Sequence, residues 1–166
     1  ILDFDTFLIS KNIEGFEKDP DQKQRFLYQD TFFLDIVPFG EILTQNDKIF
    51  WPPEEEVAMS VLGFKEIKNT TYEVSIDDEL TIKIASLDGI FLLKVSAWSE
   101  RYLEGNKDAD DLAFIINNYL TINEDRALED HYDIYEVEDF DIRVAGAKLL
   151  GRDLKVLLGK YESTRD

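Results

Sequence analysis

Tyr72-Glu73-Val74-Ser75-Ile76 and Leu80-Thr81-Ile82-Lys83-Ile84 flank Asp77-Asp78-Glu79, and Ser86-Leu87-Asp88-Gly89 follows at once. The two apolar runs alternate with a period of two, and the acidic triplet between them is a turn, so this stretch predicts a β-hairpin. The period then changes. Ser86 is an N-cap residue and Asp88 places a carboxylate in the first helical turn, so a helix is expected from Ser86 to about Leu103, stopping near Gly105-Asn106.

Downstream, a second helix is expected from about Asp108 to Tyr119, with Leu112, Ile115, Ile116 and Tyr119 on its core face. Residues 121–138 are acidic and without clear period. A last helix, Asp139 to Leu158, carries Val144, Ala147, Lys148, Leu150, Leu154 and Leu157. Upstream, Val57 to Phe64 reads as a strand or short helix ending at Gly63. Residues Glu41 to Glu56 read as irregular, because Trp51-Pro52-Pro53 suits neither helix interior nor central strand. Arg25-Phe26-Leu27-Tyr28 and Phe32 to Val37 form another expected hairpin around Gln29-Asp30-Thr31. Phe4 to Phe16 reads as a short helix ended by Gly15. With no repeat and no dividing linker, a single domain over 1–166 is expected, with a 1–120 core and a 121–166 helical extension.

The 166 residues include 44% hydrophobic and 13% aromatic side chains, enough for a real core. The net charge of -18 argues against a broad nucleic-acid or anionic-membrane surface. No cysteine and a single histidine, His131, leave any chemistry to carboxylates, Lys, Arg and an oxygen-ligated metal. No apolar run is long enough to span a membrane and no signal-peptide pattern is visible, so a cytoplasmic location with no membrane partner is expected.

Four groups of residues could carry chemistry. Asp35 lies inside the apolar run Phe32 to Gly40, where a strand covered on both faces would make a carboxylate costly unless paired or metal-bound. Lys94, Trp98 and Arg101 share one helix face and suit a polyphosphate. A plainer role also fits them: a solvated cationic stripe with Trp98 in the core, or Lys94 paired with Asp35. Asp108 and Asp111, after Lys107, are spaced to face one cleft but also suit any helix N-terminus. Asp3 and Asp5 form an Asp-x-Asp pair better read as helix caps.

In order, the chain reads R-F-L-Y (25–28), L-D-I-V-P-F-G-E-I (34–42), W-P-P (51–53), M-S-V-L-G-F-K-E (59–66), S-L-D-G-I-F-L-L-K-V-S-A-W-S-E-R (86–101), N-K-D-A-D-D-L-A-F-I-I (106–116) and G-A-K-L-L-G-R-D (146–153). This series resembles the bacterial nucleotidyltransferases of the AbiEii abortive-infection-toxin type, within the DNA polymerase beta-like superfamily. The resemblance implies an α+β fold, a mixed β-sheet with packed helices, and transfer of a nucleotide from an NTP, with magnesium, to an acceptor that is RNA, protein or a small molecule. It implies a toxin-like role beside an antitoxin protein. It assigns Asp35 as the last metal-binding carboxylate and, with Lys94, Asp108 and Asp111, as catalytic, and it matches Lys107 to the family's K-D-x-x-D element; with Trp98 and Arg101 from the helix face, Lys94 and Lys107 are the expected nucleotide-binding residues. The family's Gly-Ser turn and its Asp-x-Asp are not in these residues. Either the strands bearing them precede Ile1, as the non-Met start favours, or the chain is an inactive binding or interaction module on the same fold.

Overall fold

The computed structural model describes residues 13–22, 24–37, 48–50, 58–61, 63–68 and 70–159. They belong to two compact units, Ile1–Val61 and Leu62–Asp166. The secondary structure mixes helices and small antiparallel sheets, an α+β fold.

In the first unit, β1 (Phe16–Lys18), β2 (Arg25–Tyr28) and β3 (Phe32–Asp35) make an antiparallel sheet in the order β1-β2-β3. The expected hairpin forms with Arg25 opposite Asp35 and Tyr28 opposite Phe32. Its turn places Gln29 and Asp30 at φ 48° and 54°, with Thr31 N–H donating to the Tyr28 carbonyl. Left-handed geometry at both central positions matches the right-handed twist of paired strands.

One expectation fails here. Among the described residues β3 is an edge strand, and it is exposed along its length, with Phe33 at 68%. Apolar residue types on both faces do not require cover on both faces, so the premise of a desolvated Asp35 is wrong. Phe16 is in a strand, not a helix; the rest of the expected first helix, with Asp3 and Asp5, lies outside the described residues. Lys48–Phe50 was expected to be irregular but forms β4, paired antiparallel with β5 (Ala58–Ser60). Trp51-Pro52-Pro53 lies outside the described residues.

The second unit begins with the one-turn helix α1 (Phe64–Ile67). Gly63, at φ 87°, starts this helix instead of ending an element. The expected hairpin follows as β6 (Thr71–Ile76) and β7 (Leu80–Ala85) in unbroken register. Asp77 and Asp78 adopt φ 51° and 57°, and Glu79 N–H closes the turn on the Ile76 carbonyl, repeating the geometry of the first hairpin. α2 (Leu87–Arg101) starts as expected, with Ser86 Oγ accepting from Gly89 N–H at 3.4 Å.

α3 (Lys107–Ile122) buries Ile115, Tyr119 and Leu120. The acidic stretch after it, for which no element was assigned within the expected helical extension, contains α4 (Glu124–Asp130) and a 3-10 turn (Tyr132–Ile134). These expose acidic residues and bury only Ala127 and Ile134, too sparse a pattern for periodicity to reveal. α5 (Ile142–Gly159) is capped by Asp141, whose Oδ1 accepts from the N–H groups of Arg143 and Val144 at 2.7 and 3.2 Å.

The core is the seam of α3 and α5. Ile115, Tyr119 and Leu120 pack with Ala127, Ile134, Ala145, Leu149 and Leu150, and Ile90 and Phe91 of α2 flank them. The inward face of α5 is Ala145, Gly146, Leu149, Leu150 and Leu157, whereas Val144, Ala147 and Lys148 are exposed. Hydropathy picks Val144 over Gly146, but a close helix crossing selects the small residue.

Candidate functional site

Lys94 and Arg101 stand two turns apart on α2, and Asp108 and Asp111 one turn apart at the start of α3. The connection 102–106 folds α3 back along α2, so the later acid meets the earlier cation. Arg101 Nε and Nη2 donate to Asp108 Oδ2 and Oδ1 at 2.7 and 2.9 Å. Lys94 Nζ lies 3.4 Å from Asp108 Oδ1 and 2.5 Å from Asp111 Oδ2. Two cations and two carboxylates thus form a formally neutral net.

Its centre is Asp108, only 5% exposed. Hydrogen bonds from the Arg101 guanidinium, against the cost of burial and with help from Lys94, hold its carboxyl below the usual carboxylate range. Burial pulls the Lys94 ammonium down, but Asp111 first and Asp108 second outweigh burial and leave it raised. Arg101 is raised by its hydrogen bonds to Asp108. Asp108, Lys94 and Arg101 therefore stay charged at neutral pH. The net has an open side, since the Asp111 and Arg101 side chains are 41% and 52% exposed.

The aromatic ring expected on this face is not in the core. Trp98 is 44% exposed and its ring lies 5.9 Å from that of Tyr102, tilted by 50°. Lys107, the first residue of α3, is exposed and forms no ion pair among the described residues.

Asp35 belongs to the first unit. It accepts a two-pronged bond from Arg25, Nε to Oδ1 and Nη2 to Oδ2, both at 2.8 Å. The same guanidinium lies 4.9 Å from the centre of the Phe33 ring. A planar fork against a carboxylate, backed by an aromatic face, is an arrangement lysine could not reproduce. Arg25 was not among the residues singled out in the sequence, although the hairpin register places it opposite Asp35.

A second polar group was missed. A cleft of about 320 Å³ is lined by the hairpin entry (Thr70, Thr71, Tyr72), the α2 start (Ser86, Asp88), and Tyr119, Arg126 and Asp153. Tyr119 Oη donates to Asp153 Oδ2 at 2.6 Å, and Arg126 donates to both oxygens of Asp153 at 3.0 and 2.6 Å. Burial, then the Asp153 charge, pushes the Tyr119 phenol well above its ordinary value, so it remains a donor. Asp153 ends the G-A-K-L-L-G-R-D run noted in the sequence. Its partner Arg126 lies in the acidic, mixed stretch 121–138.

The Asp108 net makes a prediction about acid stability. A depressed folded-state value means the stabilisation is complete above the unfolded carboxylate value, about 3.9, and is lost as pH falls through the folded value. Asp108→Asn is expected to cost about 1–2 kcal/mol at pH 7 in urea unfolding, since hydrogen bonds to a charged group are lost while both cations keep access to water. The gap between wild type and variant should close as the pH is taken below about 4. A gap independent of pH would show that the carboxylate charge does not stabilise the fold.

No protein-family model, curated protein or solved structure matches this chain.

Proposed function

We propose that the chain is a nucleotidyltransferase-type domain that binds an NTP and passes its nucleotide to an RNA, protein or small-molecule acceptor, in a toxin-like role beside an antitoxin. One observation carries this proposal. Lys94 and Arg101 on one helix and Asp108 and Asp111 on the next, separate elements of the resemblance, gather into one net with a solvent-open side. Lys94 is the cation suited to meet phosphate, with the half-exposed Asp111 as its exchangeable partner. Trp98 and Tyr102 beside the net offer ring faces for a base. Lys107 adds a positive charge without an ion-pair partner among the described residues.

Magnesium is implied by the resemblance. It takes oxygen ligands in octahedral geometry, commonly one or two carboxylates together with phosphate and water. Asp35 is the candidate ligand, but each of its oxygens accepts from Arg25. Among the described residues no three His, Cys, Asp or Glu side chains gather into a metal site. By themselves the described residues do not fit the ion, and the proposal stands on the charge net. The Arg25 fork favours a second reading, a binding or interaction module of this fold without catalysis.

Calorimetric titration with each of the four NTPs tests nucleotide binding. Saturable binding of at least one is expected, weakened about tenfold by Lys94→Ala, the loss of one charge-assisted contact worth about 1.5 kcal/mol. Absence of binding by any NTP would remove the nucleotide-transfer reading and leave the interaction module.

A further inference from the structure

The cleft beneath the β6–β7 hairpin is separate from the Lys94 net, and its charges do not balance. Its charged lining is Asp88, Arg126 and Asp153. Asp153 is paired: its two oxygens take two bonds from Arg126 and one from Tyr119. Arg126 is neutralised by that pair and also touches Asn123 Oδ1 at 3.4 Å. Asp88 is left over, half-buried in the lining with neither a hydrogen bond nor an ion pair among the described residues. The cleft therefore carries one uncompensated negative charge in a chain of net charge -18.

The remaining polar lining is hydroxylic. Ser86 Oγ accepts from Gly89 N–H with one lone pair and keeps the other to accept from a ligand. Thr70 Oγ1 spends its proton on the Ile67 carbonyl and keeps its lone pairs, and Thr71 makes no side-chain hydrogen bond among the described residues. A carboxylate with hydroxyl acceptors around it complements a donor-rich cation, because an ammonium or guanidinium donates and never accepts. An anionic ligand would meet Asp88 and would have to displace Asp153 from Arg126. The volume lies at the small end of the range of about 300–1,000 Å³ for ligand pockets.

We propose that this cleft binds a small aliphatic ligand bearing a primary ammonium or guanidinium group, with Asp88 as its counter-ion and the Thr71 and Ser86 hydroxyls as further contacts. The proposal is independent of nucleotide transfer. It is tested on the protein by amide NMR titration with putrescine and agmatine, using butanediol as the uncharged analogue of putrescine. Saturable shifts confined to Thr71, Ser86, Asp88 and their neighbours are expected with both cations and not with the diol. Asp88→Asn is expected to weaken putrescine binding about tenfold, since one charge-assisted contact is lost. Val156→Trp, at an exposed position of the lining, should abolish binding while leaving the fold intact. Shifts spread over the acidic surface, equal binding of the diol, or Asp88→Asn binding as tightly as wild type would each overturn the proposal.

Discussion

Leu149→Ala is expected to lower the unfolding free energy by about 2–5 kcal/mol, the loss of a fully buried side chain together with the cavity left behind. Leu149 is 0% exposed and sits where α5 meets α3, among Ile115, Tyr119, Leu120 and Ala145. The neighbours are held by two long helices and by the capped start of α5, so the site has little freedom to collapse. Urea unfolding followed by circular dichroism measures the loss. The change should appear in the midpoint with the slope unaltered. A loss under about 1 kcal/mol would mean that the α3–α5 seam is not packed as described.

Gly146→Ala is expected to destabilise by about 1–3 kcal/mol, in the range of overpacked cores. A Cβ on Gly146 would stand 2.9 Å from the Ile116 carbonyl oxygen and 3.3 Å from the Leu120 nitrogen. Both atoms belong to the α3 backbone, so relief requires the helices to separate. The same helix supplies an internal control. A Cβ on Gly151 meets nothing within 4 Å. There the intrinsic preference of helices for alanine decides, and Gly151→Ala should stabilise by about 0.5–1 kcal/mol. Opposite signs for two identical substitutions five residues apart are the signature of the close crossing. Thermal unfolding of both variants reads the pair directly, and equal signs would contradict the packing.

The parts of the fold that were legible are those whose signal is local. The β6–β7 hairpin and the start of α2 need only alternation, an acidic turn and a cap, and each forms where the residues indicate. The exposure of β3 was not legible, because Phe32, Phe33 and Leu34 do not record that their strand is at a sheet edge. The partner of Asp35 was within reach: a hairpin closing at Tyr28 and Phe32 places Arg25 opposite Asp35 by counting. Treating the carboxylate as buried hid that simple answer.

The charge net was half legible. Spacing placed Lys94 with Arg101 and Asp108 with Asp111, each pair on one helix face. It could not say that the two faces meet and neutralise one another. Arg126 and Asp153 were out of reach, since they lie on separate helices 27 residues apart and come together only through tertiary packing. The phase of α5 misled for a related reason. Gly146 carries no hydrophobic signal, yet it faces the closest approach of the two helices.

Nucleotide transfer by this chain is tested most directly with NTPs radiolabelled at the alpha-phosphate. The intact protein, with magnesium present, is incubated with each NTP and with cellular RNA, protein and small-molecule fractions, and the acceptors are resolved by size. Label should pass from at least one NTP to a defined acceptor, and Lys94→Ala, shown by circular dichroism to be folded, should abolish transfer. Transfer from no NTP to any fraction, or transfer undiminished in the variant, would contradict the proposal.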